Sequence, residues 1–135
     1  MKDAFITSTH RHEWNRHYNP RLCRALERRG LAVYLPMRDT NQKAPYDKIC
    51  KSNLAGIRNS NIVIAVAENE SVNWGLEVGY AYGLDKRVIT LAKEGHQLPV
   101  MCLEMSWREL YFKNLDDIKK YIDTLADLIR PDTFK

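Results

Sequence analysis

Glu77 is the residue of this 135-residue chain best placed by its surroundings to do chemistry. It stands in the run SVNWGLEVGYAYG, residues 71–83, among apolar and glycine residues where a charge is otherwise unwelcome. Read as a helix, the run puts Glu77 in the first turns, where the positive end of the helix dipole favours an ionised carboxylate. An ionised, partly desolvated carboxylate suits nucleophilic attack or the stabilisation of a cation. Gly75, Gly79 and Gly83 recur every four residues and form one smooth ridge on such a helix. Glycine costs about 1 kcal/mol per helical position relative to alanine. The ridge therefore implies that a sheet or a ligand approaches the backbone closely.

Other groups carry weaker signals. His10, His12, Glu13 and His17 cluster in a segment that reads as loop. Their spacing matches no metal motif, so no metal site is expected. His10 or His12 belongs either near a phosphate or on the surface. Trp74 either stacks on a base or packs beside the glycine ridge. Arg38-Asp39 is either a base-reading pair at a pocket edge or an ordinary exposed ion pair. Tyr80 and Tyr82 lie on different helix faces, so at most one lines a site. Cys50 and Cys102 fall in apolar contexts that read as inert. The chain has no serine–histidine–acid set and no phosphate-loop glycine pattern.

The bulk numbers bound the class. The length supports one domain with a real core, residues 1–135. Hydrophobic residues make up 44% and charged residues 28%, a globular balance. No apolar run approaches the roughly 20 residues that span a bilayer, and the start lacks the apolar core of a secretory signal. Three widely spaced cysteines with no C-x-x-C pair read as reduced thiols of a cytoplasmic protein and imply no zinc site. A net charge of +4, concentrated between His10 and Arg29, fits a nucleic-acid surface or a pocket for a small phosphorylated ligand, and the second is favoured.

The elements that must position Glu77 alternate. Strands are expected at Ala4–Ser8, Leu31–Leu35, Asn61–Ala67, Arg87–Ala92 and near Pro99–Leu103. A first helix is expected from an Asn19 cap and Pro20 to Arg29, stopping at Gly30. A second runs from about Pro45 to Asn59, with Ile49, Leu54 and Ile57 inward. The glycine-ridge helix follows, and Leu115–Ile129 closes the chain on an apolar stripe of Leu115, Ile118, Ile122, Leu125 and Ile129. Ile62–Val66 is a continuous apolar run, as in a strand covered on both faces. The fold class is therefore α/β, a flavodoxin/Rossmann-like three-layer sandwich with a mostly parallel five-stranded sheet. Ligands bind past the C-terminal strand ends of such sheets, where loops Ser8–Glu13, Pro36–Thr40 and Glu68–Asn73 would meet.

These residues resemble the nucleoside 2-deoxyribosyltransferase family, which includes nucleoside 5′-monophosphate N-glycosidases. The likeness covers most of the chain. It rests on the opening strand FITSTHR at 5–11, VYLP at 33–36, NLAGI at 53–57 and the pair Ser60-Asn61. The most specific block is EVGYA at 77–81, ending in KRVI at 86–89. The resemblance implies cleavage of an N-glycosidic bond. A glutamate attacks the anomeric carbon to give a glycosyl-enzyme, which a base or water then resolves through an oxocarbenium-like transition state. Glu77 falls at the nucleophile's position; the bland alternative is a helix glutamate that only complements the dipole.

The chain departs from the family pattern at three places. Phe5 replaces a tyrosine that orients the nucleophile; a phenyl ring can wall the pocket but donates no hydrogen bond. Asn53 replaces an aspartate that assists the leaving base. Asparagine can hold a base edge but is no general acid near neutral pH, which hands the proton to a group such as Asp39 or Asp47. Ser71 stands where transferases acting on free nucleosides carry an aspartate for the 5′-hydroxyl. An aspartate would repel a 5′-phosphate and a serine can donate to it, so a nucleotide 5′-monophosphate is the expected ligand. Alternatively Ser71 only caps the helix. Ser8, Thr9 and Arg11 sit where the monophosphate glycosidases bind phosphate, and Arg11 offers a fork suited to its oxygens.

The implied site is thus catalytic Glu77 and Asn53 with substrate-binding Phe5, Ser8, Thr9, Arg11, Asp39, Ser71, Asn73 and Gly75. No metal and no cofactor is implied. The implied partner is a small-molecule nucleoside or nucleotide, with neither nucleic acid nor membrane. A homodimer or higher homo-oligomer is expected, with the aromatic segment Met105–Phe112 as candidate interface or as part of the chain's own core. Two other functions fit. A TIR-like NAD glycohydrolase would use the Ser71, Trp74 and Glu77 arrangement. A non-catalytic nucleotide-binding module would explain Phe5 and Asn53.

Overall fold

A computed structural model describes residues 1–130. Five strands form one sheet: β1 Lys2–Thr7, β2 Val33–Tyr34, β3 Ser60–Val66, β4 Arg87–Lys93 and β5 Arg108–Phe112. All are parallel, in the order β2-β1-β3-β4-β5. The reversal of chain order between β1 and β3 makes the crevice above them the switch point where ligands bind. Six helices cross between the strands or flank them: α1 Glu13–Glu27, α2 Pro36–Asp39, α3 Tyr46–Arg58, α4 Val72–Gly83, α5 Val100–Met105 and α6 Ile118–Ile129.

The strand period of two divides the core. Ile62, Ile64 and Val66 face one layer with Tyr18, Leu22 and Leu26 of α1 and Ile118, Ile122, Leu125 and Ile129 of α6. Val63 and Ala65, with Ala67 just beyond β3, face the other layer with Phe5, Trp74, Val78 and Ala81. Each fully buried isoleucine or leucine contributes about 1.5–3 kcal/mol. The stripe expected on the last helix is the one buried, with Leu115 just outside its first turn.

Several expected boundaries are corrected. The first helix starts at Glu13, not Pro20, and Pro20 lies inside it. Proline costs one backbone bond, to the Arg16 carbonyl. The turn before it is held by buried Asn15, Tyr18 and Asn19. Glu13 and His17 therefore belong to a helix rather than a loop, as an exposed pair at 3.7 Å. The second strand is only two residues long, and Pro36 opens a helix there instead of a loop. Pro99–Leu103 is not a strand: Pro99 caps α5 and only Cys102 of that helix is buried. Its apolar residues Val100, Met101 and Leu103 are exposed, so their hydrophobicity did not mark a strand.

The last strand lies instead within Met105–Phe112. Phe112 stacks on Tyr121 at 4.1 Å, so that segment packs in part on its own core. The glycine ridge also reads differently. A Cβ built on Gly75, Gly79 or Gly83 would meet nothing within 4 Å. The inward face of α4 is Trp74, Val78 and Ala81, and the ridge points away from the sheet. No helix of the described residues is long and apolar enough to cross a membrane.

Candidate active site

A cavity of about 630 Å³ opens at the switch point. Thr7 ends β1, and Ser8, Thr9, His10 and Arg11 follow it along one wall. Ser71, Asn73 and Glu77 from the start of α4 continue that polar wall, with the apolar Trp74 and Leu76 beside them. Pro36 of α2, Gln42 from the connection after it and Tyr46, Ile49, Cys50, Asn53 and Leu54 of α3 form the other wall, which is largely apolar with the carboxamides of Gln42 and Asn53 in it. All three expected loops contribute to the lining.

Glu77 sits at the junction. Its Oε1 accepts a 2.6 Å hydrogen bond from the Thr7 hydroxyl. Burial pushes its carboxyl above the ordinary glutamate value, and the Thr7 bond opposes that shift. Desolvation thus outweighs the helix dipole that was expected to favour the ionised form. The result is a desolvated carboxylate with one oxygen fixed and, among the described residues, no protein donor on the other. That is the condition of a reactive nucleophile.

Buried asparagines of α1 hold the polar wall. Asn15 donates to Ser8 Oγ at 3.1 Å and to the Glu68 carbonyl at 3.0 Å, and it accepts from Asn69 at 2.9 Å. Asn69 takes φ +56°, a left-handed conformation that asparagine adopts more readily than most residues. Asn19 donates to the Thr9 carbonyl at 3.1 Å. One helix thereby locks the loop after β1 to the loop after β3. Ser71 caps α4 by accepting from the Trp74 N–H at 3.2 Å. Its hydroxyl proton stays available to the cavity, so capping and ligand binding are compatible. Burial, then Arg11 and Arg16, hold the His10 imidazole below its ordinary value, so it is neutral at pH 7.

A second network holds the apolar wall. Thr40 donates to Asn53 Oδ1 at 2.7 Å, and the Tyr34 hydroxyl meets Thr40 Oγ1 at 2.6 Å. The Tyr34 ring stacks on Phe5 at 5.3 Å. Gly56, one turn beyond Asn53, lies where a Cβ would come within 3.0 Å of both rings. The missing side chain lets α3 settle on the stack and brings Asn53 to Thr40.

Of the residues expected at the site, Glu77, Asn53, Ser8, Thr9, Arg11, Ser71 and Asn73 line the cavity. Phe5, Asp39 and Gly75 do not. Phe5 is fully buried behind Tyr34, and Gly75 faces solvent on the outer side of α4. Asp39 accepts from Arg38 and from the Leu35 N–H at 2.9 Å. Burial would raise its carboxyl, but those bonds prevail and keep it below the usual value. Asp47 is exposed and also outside the lining. Neither tyrosine of α4 lines the cavity; Tyr80 accepts from Arg58 at 2.9 Å. Trp74 is buried in the core and edges the cavity.

Sequence reasoning missed Thr7, whose signal was a polar residue at the end of an apolar strand. It missed the Thr40–Asn53 contact, for which no signal existed. Cys50, expected to be inert in an apolar context, is exposed and lines the cavity rim. Among the described residues no group of three or more His, Cys, Asp or Glu is arranged to hold a metal ion.

Residues 6–124 match the model of the family described as nucleoside 2-deoxyribosyltransferase. No curated protein sequence matches the chain. Among solved structures, the 2-deoxyribosyltransferase of Bacillus psychrosaccharolyticus is similar with a TM-score of 0.70 at 18% identity, covering 91% of this chain and 94% of that one. The CMP N-glycosidase of Clostridium botulinum gives 0.71 at 17%, covering 90% and 98%. The TIR domain of the Toll-related receptor TRR-2 from Hydra magnipapillata gives 0.72 at 20%, covering 96% and 99%. At these identities the structural likeness shows the fold alone.

Proposed function

The chain belongs to the nucleoside 2-deoxyribosyltransferase family, and from that premise we propose that it cleaves the N-glycosidic bond of a nucleoside 5′-monophosphate through a glycosyl-enzyme on Glu77. The observation that carries this reading is the half-buried Glu77 carboxylate held at 2.6 Å by Thr7 between a basic, hydroxyl-rich wall and an apolar one. Arg11, Ser8, Thr9 and Ser71 take the 5′-phosphate, Asn73 stands with them, and the apolar wall takes the base. Thr7 does for Glu77 what the Phe5 ring has no hydroxyl to do. An oxygen of Glu77 attacks the anomeric carbon, the bond to the base nitrogen breaks, and water or a second base later displaces the glutamate. Ser71, whose hydroxyl can donate to a phosphate that an aspartate would repel, favours a nucleotide over a free nucleoside.

Chromatography of base released from nucleosides and their 5′-monophosphates, with and without an acceptor base, tests this. Release from monophosphates alone, abolished by Glu77→Gln, is expected. Exchange on free nucleosides would contradict the role given to Ser71. Tight binding without release would make the chain a nucleotide-binding module.

The likeness to a TIR domain, together with Ser71, Trp74 and Glu77 in one helix start, supports a second reading as an NAD glycohydrolase. Cleavage of NAD and not of monophosphates would decide for it. We further take the protein to be cytoplasmic and a homodimer or higher assembly. The outward apolar residues of α4 and α5, among them Leu76 and Met101, and exposed Tyr111 of β5 are the surfaces available for it. Light scattering after size exclusion reads the state directly.

A further inference from the structure

The apolar wall has a feature that bears on which base leaves. Thr40 carries one hydroxyl proton, and it is spent on Asn53 Oδ1 at 2.7 Å. The 2.6 Å contact between Tyr34 and Thr40 is therefore donated by Tyr34. The chain of donation runs Tyr34 to Thr40 to Asn53 and ends on one of the two lone pairs of the amide oxygen. The Asn53 NH2 group makes no hydrogen bond among the described residues and is the donor this side chain offers the cavity. The reverse orientation, with the NH2 group on Thr40, would leave either the Thr40 or the Tyr34 proton without a protein acceptor, so the relay favours the carboxamide in one sense.

Among the described lining residues no carboxyl group other than the nucleophile Glu77 accompanies it. Asp39 is tied to Arg38 and to the Leu35 N–H away from the cavity, and Asp47 lies outside the lining. The titratable lining groups besides Glu77 are His10, Arg11, Tyr46 and Cys50. His10 and Arg11 belong to the opposite, phosphate wall. Tyr46 is 91% exposed and Cys50 is exposed on the same helix.

Resting on the glycosyl-transfer reading of Glu77, we propose that Asn53, oriented by Tyr34 and Thr40 with its NH2 group free to donate, selects a base that offers it a carbonyl or ring-nitrogen acceptor and departs without a proton from the protein. The step balances in two ways. A Glu77 oxygen bonds to the anomeric carbon and the carbon–nitrogen bond breaks with its electron pair going to the base. An imide-type base leaves as an anion whose charge the Asn53 N–H stabilises, and the water that later resolves the glycosyl-enzyme supplies the proton. A pyridinium-type base leaves already neutral, and the water's proton goes to solvent. In both cases the carboxylate is regenerated. Tyr34 and Thr40 act through Asn53 and are positioning residues.

The test is a leaving-group series of 5′-monophosphates carrying uracil, 5-bromouracil, 5-fluorouracil and nicotinamide, read as kcat/KM for base release. The wild type is expected to speed up by about a hundredfold or more across the series, the scale that a proton donor would otherwise supply. Asn53→Asp is expected to flatten that dependence and to add loss of activity at alkaline pH. Thr40→Val is expected to lower kcat with little change in KM, and Thr40→Ser, which keeps the donor, to restore it. Melting curves of the Thr40 pair check the fold. A flat series in the wild type, with Glu77→Gln still inactive, would overturn the inference while leaving Glu77 as nucleophile. Equal kcat for Thr40→Val and Thr40→Ser would overturn the relay. No release from any member would overturn both the inference and the reading it rests on.

Discussion

The two walls of the cavity are built on opposite plans. The wall from β1 and the start of α4 is polar, and asparagines buried in α1 hold it from behind. The wall from α2 and α3 is largely apolar and rests on the Phe5–Tyr34 stack, with the carboxamides of Asn53 and Gln42 held in it. The first presents many donors that tolerate small displacements, as a charged and freely rotating phosphate allows. The second presents apolar side chains and a few oriented polar groups, Asn53 among them, as a planar ring with polar edges requires. Glu77 lines the same cavity as both, so on the proposed function a ligand touching both walls would bring its glycosidic bond to the carboxylate. Affinity is expected to reside mainly in the first wall and selectivity in the second.

Variants can separate those contributions. The largest effect is expected at the junction: Glu77→Gln should lower base release on the order of a thousandfold or more, while ligand still binds both walls. Calorimetry alongside turnover checks both halves. Next, Arg11→Ala should raise KM for monophosphates by about ten- to a hundredfold, the worth of a charge-assisted hydrogen bond, and leave free nucleosides unchanged. Equal losses on both substrates would place the phosphate elsewhere.

Asn15→Ala removes three hydrogen bonds of a buried side chain and should cost about 1–3 kcal/mol in denaturant unfolding. It should also raise KM more than it lowers kcat. Gly56→Ala should disturb the other wall, lowering discrimination among bases with KM for phosphate preserved. Thr7→Val should have a smaller effect on rate but a directional one on pH. The Thr7 bond lowers the Glu77 carboxyl, so removing it should shift the acid limb of activity to higher pH.

Glu77 also carries a stability signature. Its folded-state value is raised by burial, so between the ordinary glutamate value and that raised value the folded protein binds more protons than the unfolded chain. Stability attributable to this group therefore falls as pH rises through that window. Glu77→Gln should melt higher than wild type at neutral pH, and the difference should vanish below the ordinary glutamate value. A lower melting point for Glu77→Gln at neutral pH would mean that the carboxylate is structural.

The parallel sheet and the polar wall were largely legible in the sequence. Continuous apolar strands such as Ile62–Val66 and the loops after them leave local patterns, and Glu77 stood out because a charge broke such a pattern. Contacts between distant residues were not legible. Thr7 reaches Glu77 across 70 residues, and Thr40 reaches Asn53 across 13, with nothing in either local sequence to pair them. Asn15 looked like an ordinary polar helix residue because its partners lie in two other loops. The glycine ridge misled because small residues permit a close approach without requiring one. Pro20 misled because a helix whose preceding turn is anchored in the core tolerates one missing bond.

The measurement that bears most directly on the central claim is mass spectrometry of protein rapidly quenched with a nucleoside 5′-monophosphate that it cleaves. The account predicts a sugar-phosphate adduct on the peptide containing Glu77, formed before free sugar phosphate and absent from Glu77→Gln. Base release with no adduct at any time, or an adduct on another residue, would contradict it.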